Sequence, residues 1–140
     1  NVEYVIRDLV IAEKVSDVAA IKEVRTFAVA QQQKMGEEKG IVMDGRDIGT
    51  TVFPDAELKF FMTADIAVRV ERRYLEMLAK NPNISIDDVK ANLEMRDYID
   101  SNREVSPLRK APDAIELDNT ALSIAEQLEI AVGFVKGKIY

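Results

Sequence analysis

The sequence predicts an α/β fold: a parallel sheet with flanking helices, of about three strands and five helices. Three observations carry that expectation. Helical apolar periodicity alternates with short apolar runs along the chain. Each run is bounded by Gly, Pro, Asn or Asp, the residues of turns. The resulting order of helices and strands implies a sheet covered by helices on both faces.

The elements follow in order. Ile6, Leu9, Val10, Val15 and Val18 recur at helical spacing, and Val24, Phe27, Ala28 and Met35 continue the pattern from Ile21 to Lys39. Gly36 and Gly40 close that second helix. Gly40-Ile-Val-Met-Asp44 is a short apolar run between turn residues and reads as a buried strand. Leu58 to Thr63 reads as the next strand, after the turn signal Pro54-Asp55. Asp65 stands where an N-cap belongs, ahead of a helix from Ile66 to Lys80. Asn81-Pro82-Asn83 breaks that helix, and Ser85-Ile-Asp-Asp88 resembles a capping box opening another that runs to about Arg103. Pro107 and Pro112 mark a loop, Ala114 to Asp118 a third strand, and Ser123 caps a final helix ending near Gly137. Three strands would leave sheet edges uncovered, so strands outside these residues or a partner are expected to complete the sheet.

Composition narrows the chemistry. The chain has 140 residues, 47% hydrophobic and 31% charged, within the range of one globular domain. No apolar run approaches the roughly 18 residues of a membrane-spanning helix, and Asn1 to Asp8 contain no signal-peptide core. The absence of cysteine fits a reducing, cytoplasmic setting. With no Cys and no His, Ser-His-Asp triads, Cys-His pairs and ordinary zinc sites are excluded. Carboxylates, hydroxyls, Lys and Arg suit a reaction that depends on positioning and charge stabilisation, of which phosphoryl transfer is the leading example. A net charge of −6 argues against a nucleic-acid surface, so a bound anion would need a local arginine cluster.

Three charged groups are candidates. Asp44-Gly-Arg-Asp-Ile-Gly-Thr50 follows a predicted strand, where α/β sheets bind ligands, placing Arg46 and Asp47 at a site or in a plain surface turn. Arg96, Asp100 and Arg103 fall on one helix face, suited to clamping a phosphate or to weak surface ion pairs. Arg69, Arg72 and Arg73 crowd like charges on the preceding helix, with Glu71 and Glu76 as possible partners. Gly40-x-x-x-x-Gly45 is not a phosphate loop, because Arg46 and Asp47 stand where Lys and Ser/Thr are required. No other segment fits that motif, so residues for the donor nucleotide stay unassigned.

Taken together, these groups resemble the bacterial cytidylate kinases. Asp44-Gly-Arg-Asp-Ile-Gly-Thr-Thr-Val-Phe-Pro-Asp-Ala56 looks like that family's signature. Ile6-Arg7 and Val18 to Arg25 match upstream; Glu71-Arg-Arg, Arg96-Asp-x-x-Asp-x-x-Arg103, Ser106-Pro-Leu and Asp113 to Asp118 follow in family order and spacing. The resemblance covers essentially all of the chain and implies a P-loop-NTPase-like sheet. It divides the chain into the end of the CMP-binding region (1–39), core strands and signature loop (40–63), lid helices (64–103), and a last strand and helix (104–140).

The resemblance also implies roles. Ser16, Arg25 and Asp47 would hold the cytosine base and Asp100 the ribose. Arg46, Arg96 and Arg103 would meet the phosphates, Arg72 and Arg73 would belong to a closing lid, and the loop from Pro107 to Pro112 would lie near the ATP adenine. The implied reaction is ATP + (d)CMP giving ADP + (d)CDP with Mg2+ bridging phosphates, in a protein that is monomeric at full length and binds neither nucleic acid nor membrane. No metal-binding residue is expected in this chain. Family members begin with a strand and a Gly-rich phosphate loop, so this chain is expected to be the substrate-binding and lid part, inactive alone. A non-catalytic nucleotide-binding or interaction module, or a kinase for another nucleoside monophosphate, is the alternative.

Overall fold

The computed structural model describes residues 9–79 and 81–139. The sequence signals at Ile6-Arg7 and at Lys80 lie outside the described residues. Among the described residues, five helices and two strands follow in the order α1 (Leu9–Ala20), α2 (Lys22–Met35), β1 (Phe60–Thr63), α3 (Ile66–Leu78), α4 (Ile86–Asn102), β2 (Ile115–Asp118) and α5 (Ile124–Ile139). A π-helical turn, Ile48–Val52, lies between α2 and β1.

β1 and β2 pair in parallel, with Phe60 opposite Ile115 and Thr63 opposite Asp118. The parallel sheet is therefore present, but among the described residues it has two strands. The strand expected at residues 40–44 does not form. Ile41 is exposed, Val42 is 102% exposed, and Lys39 and Gly40 adopt φ of 58° and 64°, which turns the chain away from an extended ladder. An apolar run becomes a strand only where a neighbour takes up its backbone groups, and none pairs with this run here.

The helix signals translate directly. Asp65 Oδ1 accepts from Ala67 N at 2.7 Å, and Ser85 Oγ accepts from Asp87 N at 3.2 Å. At α5 both halves of a capping box are present: Glu126 N donates to Ser123 Oγ, and Ser123 N donates to Glu126 Oε2. The loop between α3 and α4 is closed by Asn81, whose side chain accepts from Asn83 N and whose carbonyl accepts from Ile84 N. Met77, Ile84 and Val89 are buried across this helical hairpin, with Tyr74, Leu78 and Leu93 packed around them.

α1 packs against both α2 and α4, so the end of the chain holding Ser16 faces the helix holding Arg96 and Asp100. α5 reaches β1 through an edge-to-face contact of Phe134 with Phe60, centroids 5.8 Å apart. No helix among the described residues is long and apolar enough to cross a membrane.

A buried arginine–aspartate cluster as the candidate functional site

The turn that carries Arg46 and Asp47 has an unusual backbone. Val52 N donates to Asp47 O at 3.3 Å and Phe53 N to Ile48 O at 2.7 Å, the five-residue steps of a π turn, and Thr51 N joins at Asp47 O at 2.9 Å. Such turns widen the backbone spiral and re-aim side chains, which is why they gather at functional sites. The approach to it is tight: a Cβ on Gly45 would lie 2.8 Å from Ile48 Cγ1, so this position excludes a side chain. A Cβ on Gly36, at the end of α2, would run into the Phe53 ring.

The π turn delivers Asp47 to the interior, 3% exposed. Its Oδ1 lies 3.3 Å from Arg25 of α2 and 3.9 Å from Arg103. Arg103 ends α4, is 8% exposed, and donates from Nε to Ser106 O at 2.7 Å and from one Nη to Asp100 Oδ1 at 3.1 Å. The other oxygen of Asp100 lies 2.9 Å from Arg46 Nε. Arg46 then reaches Asp97 Oδ1 at 2.8 Å, and Arg69 of α3 takes Asp97 Oδ2 at 2.7 Å. One network thus joins α2, the π turn, α3 and α4.

Cations outnumber anions in this network, and its hydrogen bonding is incomplete. Asp47 Oδ2, Arg25 Nε, Arg96 Nε and one Nη of Arg103 are buried without a hydrogen-bond partner among the described residues. Unmet buried polar groups are costly, and their convergence here makes this cluster the candidate ligand site. The electrostatics agree. Burial, then repulsion from Arg46, lowers the pKa of Arg96 despite the attraction of Asp100. Burial, then Arg25, does the same to Arg103 despite Asp100 and Asp47. Both guanidinium groups are thus partly desolvated beside like charges, a setting in which a bound anion would be stabilising. Burial raises the Asp97 pKa, but the hydrogen bonds from Arg69 and Arg46 outweigh it and hold this carboxyl below its usual range.

Of the residues expected from the sequence, Arg25, Arg46, Asp47, Asp100 and Arg103 are brought together by direct ion pairs. Arg96 shares the neighbourhood through Arg46, Asp100 and Arg73. Ser16 is buried on α1. Arg73 pairs with Glu76 at 2.9 Å. Arg72 turns elsewhere: it donates to Asn119 Oδ1 at 2.9 Å, to Asn119 O at 2.8 Å, and to the carbonyls of Thr120 and Leu122, gripping the loop between β2 and α5.

Three side chains have links that the sequence did not foretell. Asp97 and Arg69 sit within the recognised motifs, but only the fold reveals that one carboxylate joins Arg69 to Arg46. Lys59 is the other surprise, a lysine buried in the run leading to β1. It donates to Pro54 O and to both oxygens of Asp113, at 2.9 and 2.7 Å, tying the signature loop to the approach to β2. A cleft of about 440 Å³ opens beside it, lined by Gly49, Thr50, Pro54, Ala111, Pro112 and Asp113.

The family model for cytidylate kinase matches residues 1–137. Among curated proteins, the chain is 58% identical over 129 residues to a cytidylate kinase of Bacteroides thetaiotaomicron, covering 92% of this chain and 56% of that protein. It is 56% identical over 135 residues to one of Flavobacterium psychrophilum, covering 96% and 60%. It is 52% identical over 139 residues to one of Cytophaga hutchinsonii, covering 99% and 59%. The chain therefore spans somewhat more than half the length of the relatives it matches.

Proposed function

The chain belongs to the cytidylate kinase family, and from that premise we propose that it supplies the acceptor-binding and lid part of an enzyme moving the γ-phosphoryl group of ATP to CMP or dCMP. The observation that carries this reading is the buried Asp47 carboxylate, with one oxygen unpaired, beside arginines whose charge exceeds that of their aspartates.

The division of labour follows from chemistry. Asp47 Oδ2 accepts from the exocyclic amine of cytosine, a donor that uracil lacks, and Arg25 with Ser16 frames the base. Asp100 takes the ribose hydroxyls. Arg46, Arg96 and Arg103 hold phosphate oxygens; charge-assisted hydrogen bonds of roughly 1.5–3 kcal/mol each suffice to fix a monophosphate. The acceptor is already an oxyanion, so no general base is needed. Its oxygen bonds to the γ-phosphorus as the bond to the β–γ bridging oxygen breaks, and ADP leaves with that electron pair. Fixed arginines stabilise the charge that spreads over the transferring group, an effect worth about 10³–10⁵ in rate in phosphoryl-transfer enzymes.

The donor side is held differently. No segment here reads Gly-x-x-x-x-Gly-Lys-Ser/Thr, so the ATP phosphates need a cradle that these residues do not provide. The cleft at Ala111 and Pro112 supports placing the adenine beside the Pro107–Pro112 loop. Mg2+ is the ion that accompanies ATP, but the described residues include no group of three or more acidic side chains that could hold a metal. Arg73, close enough to Arg96 to influence its charge, belongs with the lid arginines; Arg72 holds the loop on which the lid helix rests. We assign the enzyme to the cytoplasm as a monomer acting on free nucleotides.

Calorimetric titration of the folded chain with CMP, UMP and AMP tests the acceptor site. Saturable binding that prefers CMP is expected, and a folded chain binding all three equally overturns the base assignment. An ADP-release assay on the full-length protein with ATP and each monophosphate tests the reaction itself.

A further inference from the structure

We propose that Asp97 is a positioning residue: it fixes Arg46 for the acceptor phosphate by sharing one carboxylate between Arg46 and Arg69. This deepens the reading above and rests on it for the identity of the ligand.

Arg46 has two carboxylate partners, and they are not equivalent. Its Nε lies 2.9 Å from Asp100 Oδ2, while its Nη lies 2.8 Å from Asp97 Oδ1. Asp100 is 2% exposed and is the group assigned to the ribose, so substrate draws on the carboxylate that holds Arg46 Nε. Asp97 has no such second duty. Its other oxygen is already taken by Arg69 at 2.7 Å, and its side chain stands at the margin of the cluster, 28% exposed. When substrate engages Asp100, Asp97 is the partner that keeps the guanidinium oriented. A bidentate carboxylate between two planar guanidinium groups fixes angle as well as distance. Because Arg69 lies on α3 and Asp97 on α4, the same carboxylate ties the signature loop to the α3–α4 hairpin.

The proposal predicts a sign that simple electrostatics reverses. Removing a negative charge from a cationic site should raise the affinity for a dianion if charge alone mattered. A positioning role requires the opposite, and only for ligands that carry the phosphate.

The experiment compares wild-type, Asp97→Asn and Arg69→Gln chains by titration with CMP and with cytidine, alongside thermal unfolding. Asp97→Asn is expected to weaken CMP roughly tenfold, the scale of a coupled contact, while cytidine binding is unchanged. Arg69→Gln should produce a smaller loss of the same kind, and adding it to Asp97→Asn should cost little more. Unchanged or tighter CMP binding by Asp97→Asn overturns the proposal. Equal losses for CMP and cytidine also overturn it, since they indicate a collapsed site. Side-chain NMR of labelled arginine decides the point without ligand: restricted rotation of the Arg46 guanidinium in the wild type, lost in Asp97→Asn, is expected. Retained restriction overturns the proposal. A wild-type chain that is folded and binds no CMP refutes the acceptor-site reading, and the NMR comparison still decides the role of Asp97.

Discussion

Arg25 and Asp47 meet at 3.3 Å across a gap of 22 residues, joining helix α2 to the π turn. The contact uses only one oxygen of the carboxylate and leaves Arg25 Nε and Asp47 Oδ2 unpaired among the described residues. Each side chain keeps one buried polar atom without a partner among the described residues, and a flat ligand edge offering a donor and an acceptor would satisfy both.

Replacing Asp47 should therefore alter choice more than grip. Asp47→Ala is expected to lower the CMP-over-UMP preference by roughly tenfold or more, since the amine of cytosine loses its acceptor while uracil never used it. Parallel titrations with both nucleotides check this, and an unchanged ratio removes Asp47 from base recognition. Asp47→Asn, which keeps the shape, separates the loss of charge from the loss of packing.

Arg103 is buried within the same cluster. Its side chain and that of Asp100 are each 3% exposed, and Asp47 lies on its other side. Arg103→Met would remove one of two guanidinium partners from each buried carboxylate, Asp47 keeping Arg25 and Asp100 keeping Arg46. The cost should therefore fall below the roughly 3–5 kcal/mol of a fully orphaned buried charge, at about 1–3 kcal/mol. Urea unfolding should show a lower midpoint with an unchanged slope; a change below about 1 kcal/mol would show that water reaches the pair.

Acid should loosen the same network. The hydrogen bonds from Arg69 and Arg46 hold the Asp97 carboxyl below its usual range against the opposing effect of burial. A depressed folded-state pKa adds stability above the unfolded-state value, and that contribution disappears as the pH falls through the folded-state value. Stability should decline below about pH 4–5, and Asp97→Asn should decline less steeply over that window. Chemical unfolding at a series of pH values from 7 to 3 measures both slopes.

The hairpin of α3 and α4 has its own stability. Val89 is 1% exposed in the cluster with Met77 and Ile84, so Val89→Ala should destabilise by about 2 kcal/mol through lost burial and a small cavity. Ser85→Ala removes the acceptor for Asp87 N and should cost about 1 kcal/mol. Hydrogen exchange of the α4 amides, set beside that of α1, shows whether the loss is confined to the hairpin.

Local chemistry was readable in the sequence wherever it depends on neighbours in the chain. Asp65, Ser85 and Ser123 cap the helices they precede, and Asn81-Pro82-Asn83 breaks the chain between α3 and α4. The arginine and aspartate motifs were readable too, and the family comparison agrees with the resemblance they carry. What failed depended on partners distant in sequence. Ile41-Val42-Met43 has the composition of a strand, yet strand formation needs a neighbour, and none pairs with it. The contact of Arg72 with the carbonyls of residues 119, 120 and 122 was not legible either, because those residues lie about 50 positions further along the chain. The burial of Lys59 was invisible for the same reason: its partner Asp113 lies 54 residues away.

The register of the sheet has a consequence for how the chain reaches its native state. Phe60 pairs with Ile115, so β1 and β2 can zip only after roughly 50 intervening residues have been drawn into a closed loop. Closing a flexible loop of that length costs on the order of 3.5 kcal/mol in chain entropy before any strand contact repays it. The α3–α4 hairpin lies wholly inside that loop and is held by contacts between near neighbours, such as Met77 with Ile84 and Val89. Assembling the hairpin first shortens the span that must still be closed, which makes it the natural early event and the sheet the late one. Kinetic measurements on Val89→Ala and Leu117→Ala distinguish the order: the former should slow folding, the latter chiefly hasten unfolding.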